Sequence, residues 1–302
     1  MVRIDDAKSI SLSVGGKRVD VCYYEAGSAE RGSVIFVQTG GAGTTAYMCW
    51  HMNIEAFADA GFRVYAPDAP GFGKSKLASA DTGSVDGEGF LLAFMDAVGV
   101  SQAHLVGNSM GAMTAARFAA SNPGRVRSVT LSGGEPRLDT DETKAIAPTL
   151  GATPRMNFVR EMLSKPQLAA DDMRRATADF FYDRDHPAVE GIARLRLDAL
   201  RDPELFEQVK EQALGQIRGG RTNYDASLLA QIQAPTFLLH GRDEKWFYTE
   251  DTAPALIEAA VKVAFVVPDC RATLLPHCGH WPQLEQPETF NALVIGFLKQ
   301  HS

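Results

Sequence analysis

Apolar and polar residues alternate along this chain with two different periods. At the start, Ser11-Leu-Ser-Val14 and Arg18-Val-Asp-Val-Cys-Tyr-Tyr24 alternate strictly, with Gly15-Gly16 between them. That pattern predicts a β-hairpin closed by a glycine turn. The rhythm then changes to short β-branched runs separated by helical stretches. Strands are predicted at Val34–Val37, Arg63–Ala66, His104–Val106 and Val126–Leu131, and helices at Ile54–Ala60, Phe90–Val98 and Ala112–Ala120. Alternation of this kind predicts a mainly parallel sheet covered by helices on both faces. From about Pro136 to Leu229 the β-rich runs stop, and polar helical segments ("FVREMLSK", "ADDMRRATADFF", "PELFEQVKEQALGQI") take over. Strand and helix signals return at Thr236–His240, Pro254–Ala260, Val263–Val267 (read as a strand) and Phe290–Lys299. The expected organisation is an α/β core made of residues 1–135 and 230–302, interrupted by a helical insertion over 136–229.

Composition narrows the partners. At 302 residues with 45% apolar and 22% charged side chains, the chain has ordinary globular proportions. A net charge of −7 with scattered Lys and Arg argues against nucleic acid and anionic membrane surfaces. A small-molecule substrate is the expected partner, and a homo-oligomer stays open. With no signal-like or membrane-length apolar run, a cytoplasmic location is expected. Cys22, Cys49, Cys270 and Cys278 lack C-x-x-C spacing, so no metal site and no disulfide framework is expected.

Three glycine motifs compete for the chemistry. Gly41-Ala-Gly43-Thr-Thr-Ala46, with Asp68 further on, meets the loose dinucleotide fingerprint. "GFGKS" (Gly71–Ser75) resembles the end of a phosphate-binding loop, but Asp68 stands where the first glycine belongs and would repel phosphate. Gly107-Asn108-Ser109-Met110-Gly111 is a G-x-S-x-G between an apolar strand and an alanine-rich helix, the setting that exposes a serine hydroxyl on a sharp turn. With Ser109 as nucleophile, a base and an acid should follow in the order Ser, acid, His. "LLPHCGHWPQLEQPETF" offers His280, favoured over His277 as the base, while His240 reads as structural. "TFLLHGRDEKWF" offers Asp243 as the acid, with Glu244 set aside and Asp251 more remote. No cofactor is needed for this set.

At these residues the chain resembles the α/β-hydrolase superfamily, and within it the meta-cleavage-product hydrolases, which break carbon–carbon bonds, and their esterase relatives. The resemblance runs through "DAGFRVYAPDAPGFGKS", "AHLVGNSMGA", "HGRDE" and "HCGHWPQLEQPETFNALVIGFL". It implies the α/β-hydrolase fold with a helical lid and a Ser109–Asp243–His280 triad. It also implies an oxyanion hole from the backbone N–H groups of Gly40 and Met110, and Gly41, Asn108 and Trp281 as substrate-pocket residues. Two departures stand out. Gln38-Thr39 replaces the His-Gly that opens the family's oxyanion loop. The carbon–carbon hydrolases also carry a lid arginine for the substrate's dienoate or carboxylate; matching "LAADDMRRAT" puts Thr177 there, with Arg174 and Arg175 close by.

The expected activity is acyl-enzyme hydrolysis, first of a small carboxylic ester and second of a vinylogous diketone cleaved at a carbon–carbon bond. A ligand receptor keeping an idle triad, and a nucleotide-dependent oxidoreductase resting on the Gly41 fingerprint, are the competing classes.

Overall fold

In the computed structural model of the chain, the described residues are 2–77, 85–134, 136–138, 140–150, 154–165, 168–203, 206–207, 210, 226–244 and 252–302. They build a nine-stranded sheet: β1 (Lys8–Val14), β2 (Lys17–Ala26), β3 (Ser33–Val37), β4 (Arg63–Pro67), β5 (Lys76–Leu77), β6 (Ala103–Asn108), β7 (Val126–Ser132), β8 (Thr236–Gly241) and β9 (Cys270–Leu275). The spatial order is β1-β2-β4-β3-β6-β7-β8-β9, with β5 beside β2. The first hairpin is antiparallel, with Gly15 and Gly16 both at positive φ in its turn; β2 also pairs antiparallel with β4 and β5, and β4, β3, β6, β7, β8 and β9 run parallel to one another.

The two-residue period of the strands sorts side chains onto opposite faces. On β3, Ile35 packs on one side while Val34 and Phe36 pack on the other; on β8, Leu238 faces away from Phe237 and Leu239. Helices α3 (Gly87–Ala97) and α4 (Met110–Ser121) cover the first face. The second is covered by α1 (Ala46–Trp50), α2 (Ile54–Asp59) and the C-terminal helix Pro287–Lys299. Trp50, fully buried, stacks on Phe36 at 4.5 Å in this second core. Between β7 and β8 the described elements are helical: α5 (Asp141–Leu150), α6 (Pro154–Leu163), α7 (Ala170–Ala178), α8 (Ala188–Ala199) and the turn of helix Ala226–Leu229. Helices α6, α7 and α8 share a core of their own through Met162, Leu163, Met173, Ala176 and Ala193, and Ala42 of the loop after β3 joins it. The segment "PELFEQVKEQALGQI" lies largely outside the described residues.

One strand is not where periodicity placed it. Val263–Val267, read as a strand, begins in a 3₁₀ turn (Lys262–Phe265), with Val263 and Val267 buried and Phe265 between them 86% exposed. Burial at i and i+4 is the helical spacing, which a short apolar run cannot announce. The strand is Cys270–Leu275, at the sheet's edge, where most positions stay open to solvent and the apolar signature is correspondingly thin.

No described helix is long and apolar enough to cross a membrane.

Two histidines buried in the sheet layers make stability pH-dependent. Burial, chiefly, lowers both His104 and His240 from 6.5 to about 4. The unfolded chain therefore binds protons between about 4 and 6.5 that the folded chain refuses, so stability falls as pH drops through that window. Each histidine contributes on the order of 1–3 kcal/mol to that fall. His104→Gln, whose amide can still meet the Ser128 hydroxyl that lies 2.8 Å from Nδ1, should flatten the slope of thermal-denaturation midpoint against pH between 7 and 5.

Candidate active site

The loops that follow β3, β6, β7, β8 and β9 all leave the carboxyl ends of parallel strands, the edge where open α/β sheets gather their ligands. Ser109 closes β6 and opens α4, with φ 53° and ψ −120°. A non-glycine residue held at positive φ is strained, and the surroundings must over-determine it. They do so through small neighbours. A Cβ on Gly107 would overlap the Gly111 carbonyl, and one on Gly111 would overlap the carbonyls of Val37 and Gln38. The strand end, the helix start and the loop after β3 thus close to a distance that no side chain permits. The Ser109 N–H is tied to the Ser132 carbonyl of β7 at 2.9 Å. Its side chain lies in a site that is nearly buried, at 4% exposure.

His280 reaches the same place from the loop after β9. Its backbone is held at both ends: its N–H donates to the Phe180 carbonyl (2.8 Å), and its carbonyl accepts from Asn108 Nδ2 (3.1 Å), next door to Ser109. Its ring Nδ1 lies 2.6 Å from an oxygen of Glu244, with both side chains buried. Burial alone would raise the Glu244 carboxyl; the facing His280, and further off Arg137 and His240, outweigh it and hold the group below its ordinary value.

The acid expected from sequence was Asp243, and the structure corrects it. Asp243 Oδ2 accepts from the His277 N–H at 2.7 Å and pairs with Arg242 at 3.2 Å. Asp243 belongs to the turn after β8 and helps hold His277, at φ 52°, in its tight bend. The neighbour set aside, Glu244, points inward. The turn after β8 decides which of the two faces inward, and two acids in sequence give no signal of it. The extra methylene of Glu244 is accommodated at Gly134, where any Cβ would overlap its Oε2. His240, one residue from the end of β8, accepts the Gly134 N–H on Nδ1 at 3.0 Å and is structural, as read from sequence.

Gly40 and Met110, the expected oxyanion donors, lie against each other: a Cβ on Gly40 would run into the Met110 sulfur. The Gln38 that replaces a histidine tethers this loop, its Oε1 accepting from Ala69 N–H at 3.0 Å. Gly41 makes a turn, its carbonyl accepting from Thr44 Oγ1 at 2.9 Å. The dinucleotide reading of these glycines loses its anchor here. Asp68, buried, puts Oδ1 on Ala46 N–H (2.7 Å) and Oδ2 on Lys74 N–H (2.9 Å), so a carboxylate already holds the helix start that a phosphate would need. Burial raises this carboxyl to about 6 against the pull of those two N–H groups.

Arg174 and Arg175 are not at the site. Arg174 pairs with Asp185 and Glu190 on the surface, and Arg175 covers the Phe158 ring at 4.1 Å. One buried arginine that sequence reasoning passed over is Arg196 on α8. It is 2% exposed, donates from Nε (3.1 Å) and Nη2 (2.9 Å) to the Ala42 carbonyl of the loop after β3, and from Nη1 to Thr177 Oγ1 at 2.9 Å. Thr177 is the position onto which the motif match had placed the arginine, so the two are neighbours in space, one on each of two helices. Phe180 and Trp281 lie 5.3 and 5.6 Å from the guanidinium carbon, stacked on each other at 3.9 Å. Burial pulls Arg196 down to about 10, still charged at neutral pH. No carboxylate pairs with it among the described residues. Trp281 and Asn108, expected to line a pocket, are fully buried; Asn108 Nδ2 is spent on Ser132 Oγ and the His280 carbonyl.

The family model of the alpha/beta hydrolase fold matches residues 33–287. The chain belongs to the α/β-hydrolase family. It is 32% identical over 282 residues to a 2-hydroxy-6-oxo-6-phenylhexa-2,4-dienoate hydrolase of Comamonas testosteroni, covering 92% of this chain and 91% of that one. It is 30% identical over 294 residues to a 2-hydroxy-6-oxononadienedioate/2-hydroxy-6-oxononatrienedioate hydrolase of a Pseudomonas species, with 97% and 96% covered. Among solved structures, a mutant of the meta-cleavage product hydrolase CumD, an enzyme of Pseudomonas fluorescens IP01, superposes with a TM-score of 0.76 at 25% identity, over 99% of this chain and all of that one. This α/β-hydrolase is thus an enzyme of the hydrolase class, similar over nearly its whole length to meta-cleavage product hydrolases.

Because Glu244 and not Asp243 faces His280, the two acids should separate cleanly. Glu244→Gln is expected to lower kcat on any turned-over substrate by about 10⁴-fold, as loss of a triad acid's charge does. Asp243→Asn should stay within about tenfold of the parent; steady-state kinetics on the two variants decides it.

Proposed function

We propose that this α/β-hydrolase cleaves a carbon–carbon bond in a 2-hydroxy-6-oxo-dienoate, with Ser109 as nucleophile, His280 as base and Glu244 as acid. Gly40 and Met110 N–H groups would receive the oxyanion, and the helical stretch 136–229 would serve as the lid. The observation that carries the choice of substrate is Arg196. A buried cation is costly unless an anion faces it. Arg196 has only a carbonyl and a hydroxyl for partners among the described residues. It stands beside the loop that carries Gly40 and beside the Trp281 that follows His280. A dienoate carboxylate supplies the missing anion; a neutral ester does not.

The steps follow from the placement. The dienol ketonises and gains a proton at C5, and Arg196 holds the carboxylate end. His280 takes the Ser109 proton as Oγ bonds to C6, and the oxyanion forms against Gly40 and Met110. The C5–C6 bond breaks, its electron pair passing into the oxo-acid fragment, and the proton held by His280 goes to the 2-oxygen of that fragment, which leaves as the 2-hydroxydienoate and returns His280 to its neutral form. Water, deprotonated by His280, then opens the acyl-enzyme and releases the carboxylic acid. Substrate and one water give two products, with no cofactor consumed. Ester hydrolysis uses the same Ser109, His280 and Glu244 without Arg196, and is the second reading that the triad supports.

Arg196→Ala should separate them. Kinetics on 2-hydroxy-6-oxo-6-phenylhexa-2,4-dienoate, followed by loss of its visible absorbance, should show kcat/KM lower by about 10–10²-fold, the worth of one charged hydrogen-bonded contact. Hydrolysis of a neutral aryl ester should fall at least several-fold less, since it loses only the tether to the Ala42 carbonyl. Equal losses on both substrates, or a parent enzyme that turns over the ester but not the dienoate, would overturn the carbon–carbon reading.

A further inference from the structure

Glu285 ends the short helix Pro282–Glu285 and is only 6% exposed. Its carboxylate serves two segments far apart in sequence. Oε2 accepts from the Gly279 N–H at 2.6 Å, immediately before His280. Oε1 accepts from the N–H groups of Tyr182 at 2.7 Å and Asp183 at 3.3 Å, in the stretch that leaves α7. The same two segments touch elsewhere: His280 N–H meets the Phe180 carbonyl, and a Cβ on Gly279 would overlap that carbonyl. A buried carboxylate is expensive unless its lone pairs are taken, and here three backbone donors take them. A neutral amide has one acceptor atom and would turn its N–H₂ toward one of the two segments.

We propose that Glu285 is a positioning residue for His280, joining the loop that carries the base to the Phe180–Asp183 hinge at the foot of the lid. The proposal rests on His280 as the base. The imidazole is then set by two carboxylates: Glu244 on the ring and Glu285 on the backbone behind it. Because the lid's α7 ends at this hinge, a displaced hinge misplaces the base, and misplacement of about 1 Å costs up to about 10²-fold in rate.

The test is Glu285→Gln in the full chain, with p-nitrophenyl acetate and the phenyl dienoate as separate substrates and amide hydrogen exchange read on Gly279, Tyr182 and Asp183. The expected result is kcat lower by about 10–10²-fold on whichever substrates the parent turns over, with KM within about twofold. Faster exchange should appear at all three amides together, while β6 and β7 stay protected. Unchanged kcat, or exchange that rises in one segment alone, would overturn it. Should the variant not fold, the parent still decides: the three amides should exchange at a common rate and slow together when a phosphonate occupies Ser109, and independent rates refute the coupling. Failure of the dienoate alone to react bears on the substrate and leaves this test standing through the ester.

Discussion

One backbone angle constrains the rest of this molecule: Ser109 sits at φ 53°. A serine pays for that conformation, and it is kept only because three chain segments crowd around it. The crowding demands Gly107 and Gly111 with nothing beyond hydrogen on Cα, since side chains there would strike the Gly111 and Val37 carbonyls. It fixes the direction of α4 from its first residue and brings Met110 against Gly40. The neighbouring Asn108 then becomes the peg for the His280 carbonyl. Ser109, the loop after β3 and His280 are placed by one strained turn and the glycines that allow it.

Around that turn, the buried charges divide the labour. Asp68 accepts from two backbone N–H groups and fastens the start of α1 to the turn at Lys74. Glu244 faces His280. Arg196 has no carboxylate opposite it among the described residues, and it is held in place by the Ala42 carbonyl and Thr177. Asp68 and Glu285 are met by backbone N–H groups, whereas Arg196, a buried cation beside the loop after β3, is met by a carbonyl and a hydroxyl. The position of that cation, together with likeness to relatives, directs the proposed reading toward an anionic substrate.

Much of this was legible in the sequence, for physical reasons. Strand, glycine-flanked serine and alanine-rich helix are local, so Ser109 and its flanks could be read from adjacent residues. The same holds for the hairpin at Gly15-Gly16. What was misread depends on phase or on distance. Asp243 and Glu244 differ by one residue, and only the turn after β8 decides which faces inward. Val263–Val267 has the composition of a strand but the burial of a helical turn. Arg196 gives no local sign of its role, because its partners Ala42 and Thr177 lie on other segments; a helical face around Val189, Ile192, Ala193 and Arg196 was the available signal. Gln38 was noticed as a departure, but its tether to Ala69 needed the fold.

The central claim is that Ser109, freed of its proton by His280 paired with Glu244, forms a covalent acyl-enzyme. Rapid acid quench of the parent enzyme with the phenyl dienoate, followed by mass spectrometry of its peptides, tests it directly. A benzoyl adduct on the Ser109 peptide, formed and lost at rates consistent with turnover, is the predicted result. Turnover with no adduct on Ser109, or with the adduct on another residue, would contradict the account.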